Sequence, residues 1–304
     1  MQNSGRYPKL WQGIVFFGAV ILAMILIAAP VQMELGLAGV AITEIMLLVM
    51  AVGAAILSKC RLSDVFPIVL TPPKKMLGIF MMYGGLYLAV IAGTTVMAQF
   101  MPSLNDVSVN IASIGTQLSP AAAIVIMAIL PAICEESVFR GYILASFKSM
   151  PNRKIAGLSW KFITVILVGT MFGIFHLDPT RYLMTAILGA FFTYVAIESG
   201  SMFPSMLLHM INNLISVVAM YSLVNSVSAS SKLEIEQYIL YPTVQLIASC
   251  MCYVGVAILL YFFGWKIFKA VKLKRMVTVS VVVLSLALMI SGYILTAASV
   301  AANI

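Results

Sequence analysis

The stretch Ala121-Ala122-Ala123-Ile124-Val125-Ile126-Met127-Ala128-Ile129-Leu130-Pro131-Ala132-Ile133-Cys134-Glu135-Glu136-Ser137-Val138-Phe139-Arg140-Gly141 decides how this chain is read. Its first ten residues are all apolar, and two adjacent carboxylates follow, with an arginine one turn later. A carboxylate held in hydrocarbon costs about 2.5 kcal/mol or more unless it is paired. Two in a row at such a place mark a functional position rather than filler.

Working outward, the same apolar character covers the whole chain. Of its 304 residues, 62% are hydrophobic and only 9% are charged. That leaves too little polar surface to wrap a soluble core. A bilayer span needs ~20 apolar residues. Candidate spans lie at about Trp11–Ala29, Leu35–Leu57, Met76–Phe100, Ala121–Phe147, Phe162–Leu177, Tyr182–Ile197, Met202–Leu223, Tyr238–Gly264 and Val277–Val300. The pattern is helical or uniformly apolar, without the alternation of a β-barrel. The expected fold is therefore all-α: a polytopic transmembrane helix bundle of about 8–9 spans, with a core of four helices carrying the site. No segment is long and polar enough for a separate soluble domain. Within one membrane domain the chain divides into N-terminal helices (1–120), a site-bearing core (121–224) and C-terminal helices (225–304). The first span has a basic lead-in, Arg6 and Lys9, and ends in Ala28-Ala29-Pro30. Its length and the spans that follow favour a retained helix over a cleaved signal peptide.

The net charge of +8 follows from topology and calls for no nucleic-acid partner. With nine crossings and the N-terminus inside, the inner side carries Arg6, Lys9, Lys59, Arg61, Lys74, Lys75, a cluster from Lys148 to Lys161 and a run from Lys266 to Arg275. The outer side carries only Arg181 and Lys232. This is the positive-inside asymmetry, and it predicts a multi-pass protein of the cell membrane with a cytoplasmic N-terminus. The polar loops Met101–Pro120 and Asn225–Gln237 fall outside. The four cysteines, Cys60, Cys134, Cys250 and Cys252, form no C-x-x-C pair and no disulfide framework.

The chain has two histidines, His176 and His209, both in expected spans. Residues four apart share a helix face, so Glu136 aligns with Arg140, Phe172 with His176, and His209 with Asn213. Adjacent residues point about 100° apart. Glu136 is thus the natural ion-pair partner of Arg140, whereas Glu135 is turned elsewhere and left to meet histidines from other helices. Pro131, one turn before Glu135, removes a backbone hydrogen bond and predicts a kink. Phe162–Leu177 and Tyr182–Ile197 are short for spans and joined by the turn Asp178-Pro179-Thr180. A hairpin sunk into a protein-lined cavity would carry His176 toward the membrane centre. Gly169 and Gly173 offer this hairpin a small-residue face. Glu44 sits mid-span with no motif around it and is read as an intramembrane acid seeking a polar partner.

Together, Glu135, His176, His209 and Asn213 describe a water-activating site aimed at an amide bond. A carboxylate taken out of water and tuned by an imidazole can accept a proton from water and return it to a leaving amine. A histidine and an asparagine amide can donate to an oxyanion. The alternative is that Glu135, His176 and His209 hold a zinc ion, although H-E-x-x-H is absent. G-x-S-x-G and a paired-aspartate pattern are absent as well. A proton-coupled transporter would want further ionisable residues along a path; only Glu44 and Glu198 lie in or near the spans beyond this cluster.

The ordered set Glu135-Glu136-x-x-x-Arg140, Phe172-x-x-x-His176 and His209-x-x-x-Asn213, with Gly141, Gly200-Ser201 and Pro204, resembles the CAAX protease and bacteriocin-processing family, also called Abi. The resemblance covers roughly Ala121 to Val218. It implies an intramembrane endopeptidase, like the CAAX prenyl proteases that remove a C-terminal tripeptide from prenylated proteins, acting on a membrane-associated protein or peptide. It further implies that Glu135 and His176 activate the water and that His209 and Asn213 stabilise the oxyanion, with Glu136, Arg140 and Phe172 in support and no cofactor required. Other members are linked to bacteriocin immunity, so a non-catalytic immunity or scaffold protein is the alternative reading.

Overall fold

In a solvent that forms no hydrogen bonds, a backbone without β-type alternation must satisfy itself as helix. The computed structural model, which describes residues 7–101, 118–150, 154–227 and 243–302, is helical accordingly. In chain order the helices are α1 (Leu10–Leu35), α2 (Leu37–Leu57), the single turn α3 (Leu62–Val65), α4 (Pro73–Phe100), α5 (Pro120–Lys148), α6 (Trp160–Phe175), α7 (Tyr182–Ser199), α8 (Phe203–Val227), α9 (Thr243–Lys269) and α10 (Arg275–Ala302). Eight of these are long and apolar enough to cross a membrane, and α6, with 16 residues, is shorter. The expected polytopic helix bundle is what forms. The two polar outer loops expected at 101–120 and 225–237 lie largely outside the described residues.

By packing, the described chain forms two units. One takes the described parts of Met1–Thr71 and Ser108–Val224, the other those of Pro72–Val107 and Asn225–Ile304. The first contains every candidate site residue. In it α2 packs along the middle of α5, and α1 packs on the last turns of α5. In the second unit α9 packs against both α4 and α10, and glycines set the approach. A Cβ on Gly264 would come within 2.6 Å of the Gly78 carbonyl oxygen, and one on Gly85 within 2.6 Å of the Ala257 carbonyl oxygen.

Two prolines sit inside helices without ending them. Pro30 follows a widened, π-helical turn at Met24–Ala28, and Pro131 follows another at Val125–Ile129. Proline lacks a backbone N–H and crowds the carbonyl four residues back, and a wider turn accommodates both defects. This corrects the expected end of the first span: α1 runs through Pro30 to Leu35. A third π-helical stretch, Ser137–Ile143, begins directly after the two glutamates.

The α6–α7 hairpin forms as the small residues predict. Lys154–Ile155 and Leu158–Ser159 pair as a two-residue ribbon, β1 and β2. Its turn residues Ala156 and Gly157 both have positive φ, as the tight primed turns require. The Ser159 hydroxyl then caps α6 by accepting from the Phe162 amide at 3.2 Å. Gly169 lets α6 approach the backbone of Ala190 on α7, where a Cβ would meet atoms 2.6 Å away. At the far end Leu177 takes a left-handed conformation (φ 51°). Asp178 Oδ1 accepts from the Thr180 amide at 2.9 Å and its hydroxyl at 2.6 Å, an Asx turn that reverses the chain. After α7, Gly200 is left-handed and ends the helix. The buried Ser201 hydroxyl accepts from the Val69 amide at 2.9 Å, and the Met202 amide donates to the Pro67 carbonyl at 2.7 Å. The segment after α3 is thereby tied to the start of α8.

Candidate active site

The site is assembled around the middle of α5. Glu136 and Arg140 are both fully buried, and the guanidinium donates to Glu136 Oε1 at 2.7 Å. Its other amino group donates to the Gly189 carbonyl of α7 at 2.7 Å. The guanidinium carbon lies 4.6 Å from the centre of the Phe172 ring and 5.5 Å from that of Phe192, so aromatic faces replace part of its hydration. The charge is placed by one residue on its own helix, one backbone carbonyl and two rings from α6 and α7.

Glu136 has a second task that spacing alone did not reveal. Its Oε1 also accepts from His209 Nδ1 on α8, at 3.0 Å. The opposite ring nitrogen, Nε2, faces Glu135 Oε2 at 3.8 Å. One imidazole therefore stands between two adjacent carboxylates, each taking a different nitrogen. This is the consequence of the ~100° between neighbouring helix positions: Glu136 reaches Arg140 and the near side of the ring, and Glu135 reaches its far side. Glu135 Oε2 is buried and makes no hydrogen bond among the described residues.

His176 ends α6, where the left-handed Leu177 stops the helix and leaves the ring at its tip. Its Nδ1 lies 2.8 Å from the Phe172 carbonyl oxygen. A carbonyl only accepts, so Nδ1 carries the hydrogen and Nε2 presents a lone pair. Phe172 is the hub between the two histidines: its ring centre is 4.9 Å from that of His176 and 5.6 Å from that of His209. His176 makes no hydrogen bond or ion pair with Glu135 among the described residues. Asn213 lies one turn after His209, and its side-chain oxygen accepts from Asn212 Nδ2 at 3.3 Å. That bond engages the oxygen and leaves the NH2 group as a donor. A crevice of about 250 Å³, lined by Gly173, Ile174, Leu177, Asp178, Pro179 and Tyr182, lies at the hairpin turn and takes in none of these four residues.

Two contributors escaped the reading of the chain, and a third was named there without a partner. Phe192 stacks on His209, ring centres 5.7 Å apart at 29°, and nothing separates it from the other apolar residues of α7 in sequence. Gly189 supplies a carbonyl and leaves room for Phe172, whose ring a Cβ there would meet at 2.8 Å; a lone glycine announces neither role. Glu44 on α2 is buried, on a helix that packs along the stretch of α5 holding Cys134 and Glu135. Its signal was present, as an intramembrane acid with no local partner.

The zinc alternative finds no ligand set here: among the described residues, no three His, Cys, Asp or Glu side chains are grouped to hold a metal ion. Outside the spans, burial by itself would push the Asp178 carboxyl up. The hydrogen bonds from Thr180 outweigh burial and, with Arg181 nearby, hold that carboxyl below its ordinary value.

Comparison with known proteins gives a family match. Residues 117–215 match the family model described as Rce1-like, type II CAAX prenyl endopeptidase Rce1-like. No curated protein and no solved structure matches the chain. The matched residues include Glu135, Glu136, Arg140, Phe172, His176, His209 and Asn213, and they exclude Glu44. The segment from 117 to 215, set in a multi-pass helical membrane protein, is thus similar to the Rce1-like type II CAAX prenyl endopeptidases.

Proposed function

We propose that this protein is an intramembrane endopeptidase that hydrolyses a peptide bond of a membrane-associated protein or peptide, in the manner of the type II CAAX prenyl proteases. The observation that carries this reading is His209 held between Glu135 and Glu136, 3.8 Å and 3.0 Å from their oxygens. Glu135 is the base: its Oε2 faces the imidazole without a hydrogen bond of its own. His176, with Nε2 as acceptor, assists in taking the proton from water. In the tetrahedral intermediate the new negative charge meets the Asn213 amide from α8, joined by His209 when its Nε2 carries a hydrogen beside the Nδ1–H held by Glu136. The proton on Glu135 then passes to the leaving amine. Glu136 and Arg140 do not react; they fix the His209 ring, and Phe172 fixes both rings.

On this reading the chemistry runs without a bound metal. The basic inner loops put the N-terminus on the cytoplasmic side of the cell membrane, with substrate reaching the site from that face. The test uses the purified full-length protein and a panel of peptides ending in a farnesylated Cys-a-a-X sequence, each with its unprenylated counterpart, read by mass spectrometry. Cleavage is expected in wild type, and Glu135→Gln, His176→Ala and His209→Ala are expected to lose about 10²–10⁴-fold of it. A chelator should leave turnover unchanged. Undiminished cleavage in all three variants, or cleavage by none of the proteins, refutes the enzymatic reading and favours a scaffold or immunity protein.

A further inference from the structure

We propose that Glu44 is a third carboxyl group of the hydrolytic site, positioning the water that Glu135 activates. This rests on the proteolytic reading above and extends the site to a helix outside the matched segment. Glu44 lies on the face of α2 that packs against the middle of α5, and it is 8% exposed. Its Oε2 is buried and has no hydrogen-bond partner among the described residues. The polar neighbour on its own helix is already engaged: the Thr43 hydroxyl accepts from Gln32 Nε2 at 2.8 Å and donates to the Val40 carbonyl at 3.0 Å.

Glu135, on the stretch of α5 that α2 packs against, has an Oε2 likewise buried without a hydrogen bond. The groups that act on Glu135 are Glu44 from α2, Glu136, Arg140 and Cys134 from its own helix, and His209 from α8. Glu136 Oε1 is taken by Arg140 and His209, and Cys134 is a weak donor. Buried carboxylate oxygens of this kind are satisfied by ordered water. The pair Glu44 and Glu135 is thus a place to hold one water beside the base.

A merely structural Glu44 makes the opposite forecast from a working one. Replacing a buried, unpartnered carboxyl by an apolar side chain is neutral or stabilising when the group has no other task. The experiment compares Glu44→Leu, Glu44→Met and Glu44→Gln with wild type and Glu135→Gln, on the farnesylated peptide that wild type cleaves best, with thermal unfolding in the same detergent. The expected result is a kcat lower by at least roughly tenfold in Glu44→Leu and Glu44→Met, with KM little changed and stability equal or higher. Glu44→Gln, which keeps a hydrogen-bonding head group, should retain kcat within about threefold. Wild-type kcat in the folded Leu or Met variant overturns the inference. So does failure of both to fold while the Gln variant folds, because Glu44 then serves the fold. Activity in Glu135→Gln removes the proteolytic reading itself; an inactive Glu135→Gln beside a fully active Glu44→Leu removes only the role of Glu44.

Discussion

The two packing units solve the same problem, holding apolar helices together in an apolar solvent, by different means. In the unit of α4, α9 and α10, glycines bring backbones into contact, and the buried side chains are almost all apolar, with Ser285 the buried polar exception among the described residues. Close packing is the available attraction when lipid is as apolar as the helices. In the unit containing α5, the buried set includes Glu44, Glu135, Glu136, Arg140 and His209. There α5 gives up regular geometry in two π-helical stretches, on either side of Pro131 and the glutamates. Small residues suffice where the task is adhesion. Charges and irregular turns are gathered where the candidate site lies, and π-bulges tend to sit at functional sites.

Within the polar unit the two adjacent glutamates sharpen the contrast, and the largest expected effect separates them. Glu135→Gln should remove about 10²–10⁴-fold of turnover while thermal unfolding stays near wild type, because Glu135 Oε2 makes no hydrogen bond to lose. Arg140→Ala should act on the fold instead. It strands the fully buried Glu136 carboxylate, and losing one partner of a buried pair costs about 3–5 kcal/mol, read as lost expression and a lowered Tm. Should Arg140→Ala fold normally and lose only activity, the division between a reacting and a structural glutamate fails.

The other side of the comparison is tested by Gly264→Leu in the second unit. A side chain there meets the Gly78 carbonyl and the Met82 amide at 2.6 Å, and overpacking of this kind costs about 1–3 kcal/mol. Stability should fall while kcat per folded molecule is unchanged. The smallest effect belongs to the Asp178 turn. A carboxyl held below its ordinary value contributes stability that is present above that value and is lost as pH falls through the lowered one. Asp178→Asn should therefore flatten the acid side of the Tm-against-pH curve and leave turnover at neutral pH intact.

Much of this was open to a reader of the chain alone, for local reasons. Span positions follow from the length of apolar runs. The Glu136–Arg140 pair and the Phe172–His176 and His209–Asn213 faces follow from the spacing of one helical turn. The close approach of α6 and α7 follows from Gly169. These depend only on residues within a few positions of one another, or on a hydrocarbon thickness that every span shares. The passage of α1 through Pro30 was misjudged, because a proline reads as a break unless the turn before it can widen.

The rest required the assembled chain. That His209 lies between both glutamates, that Gly189 lends a carbonyl to Arg140 and that Phe192 stacks on the imidazole each join residues of different helices. Helical periodicity states which face a side chain occupies; it carries no information on which helix that face will meet. In an apolar solvent the choice of neighbour is made by packing and by the few polar groups that must find each other, and both are properties of the folded bundle. Sequence alone therefore determined the helices, their ion pair and the candidate polar groups, and tertiary structure decided which of those groups lie together.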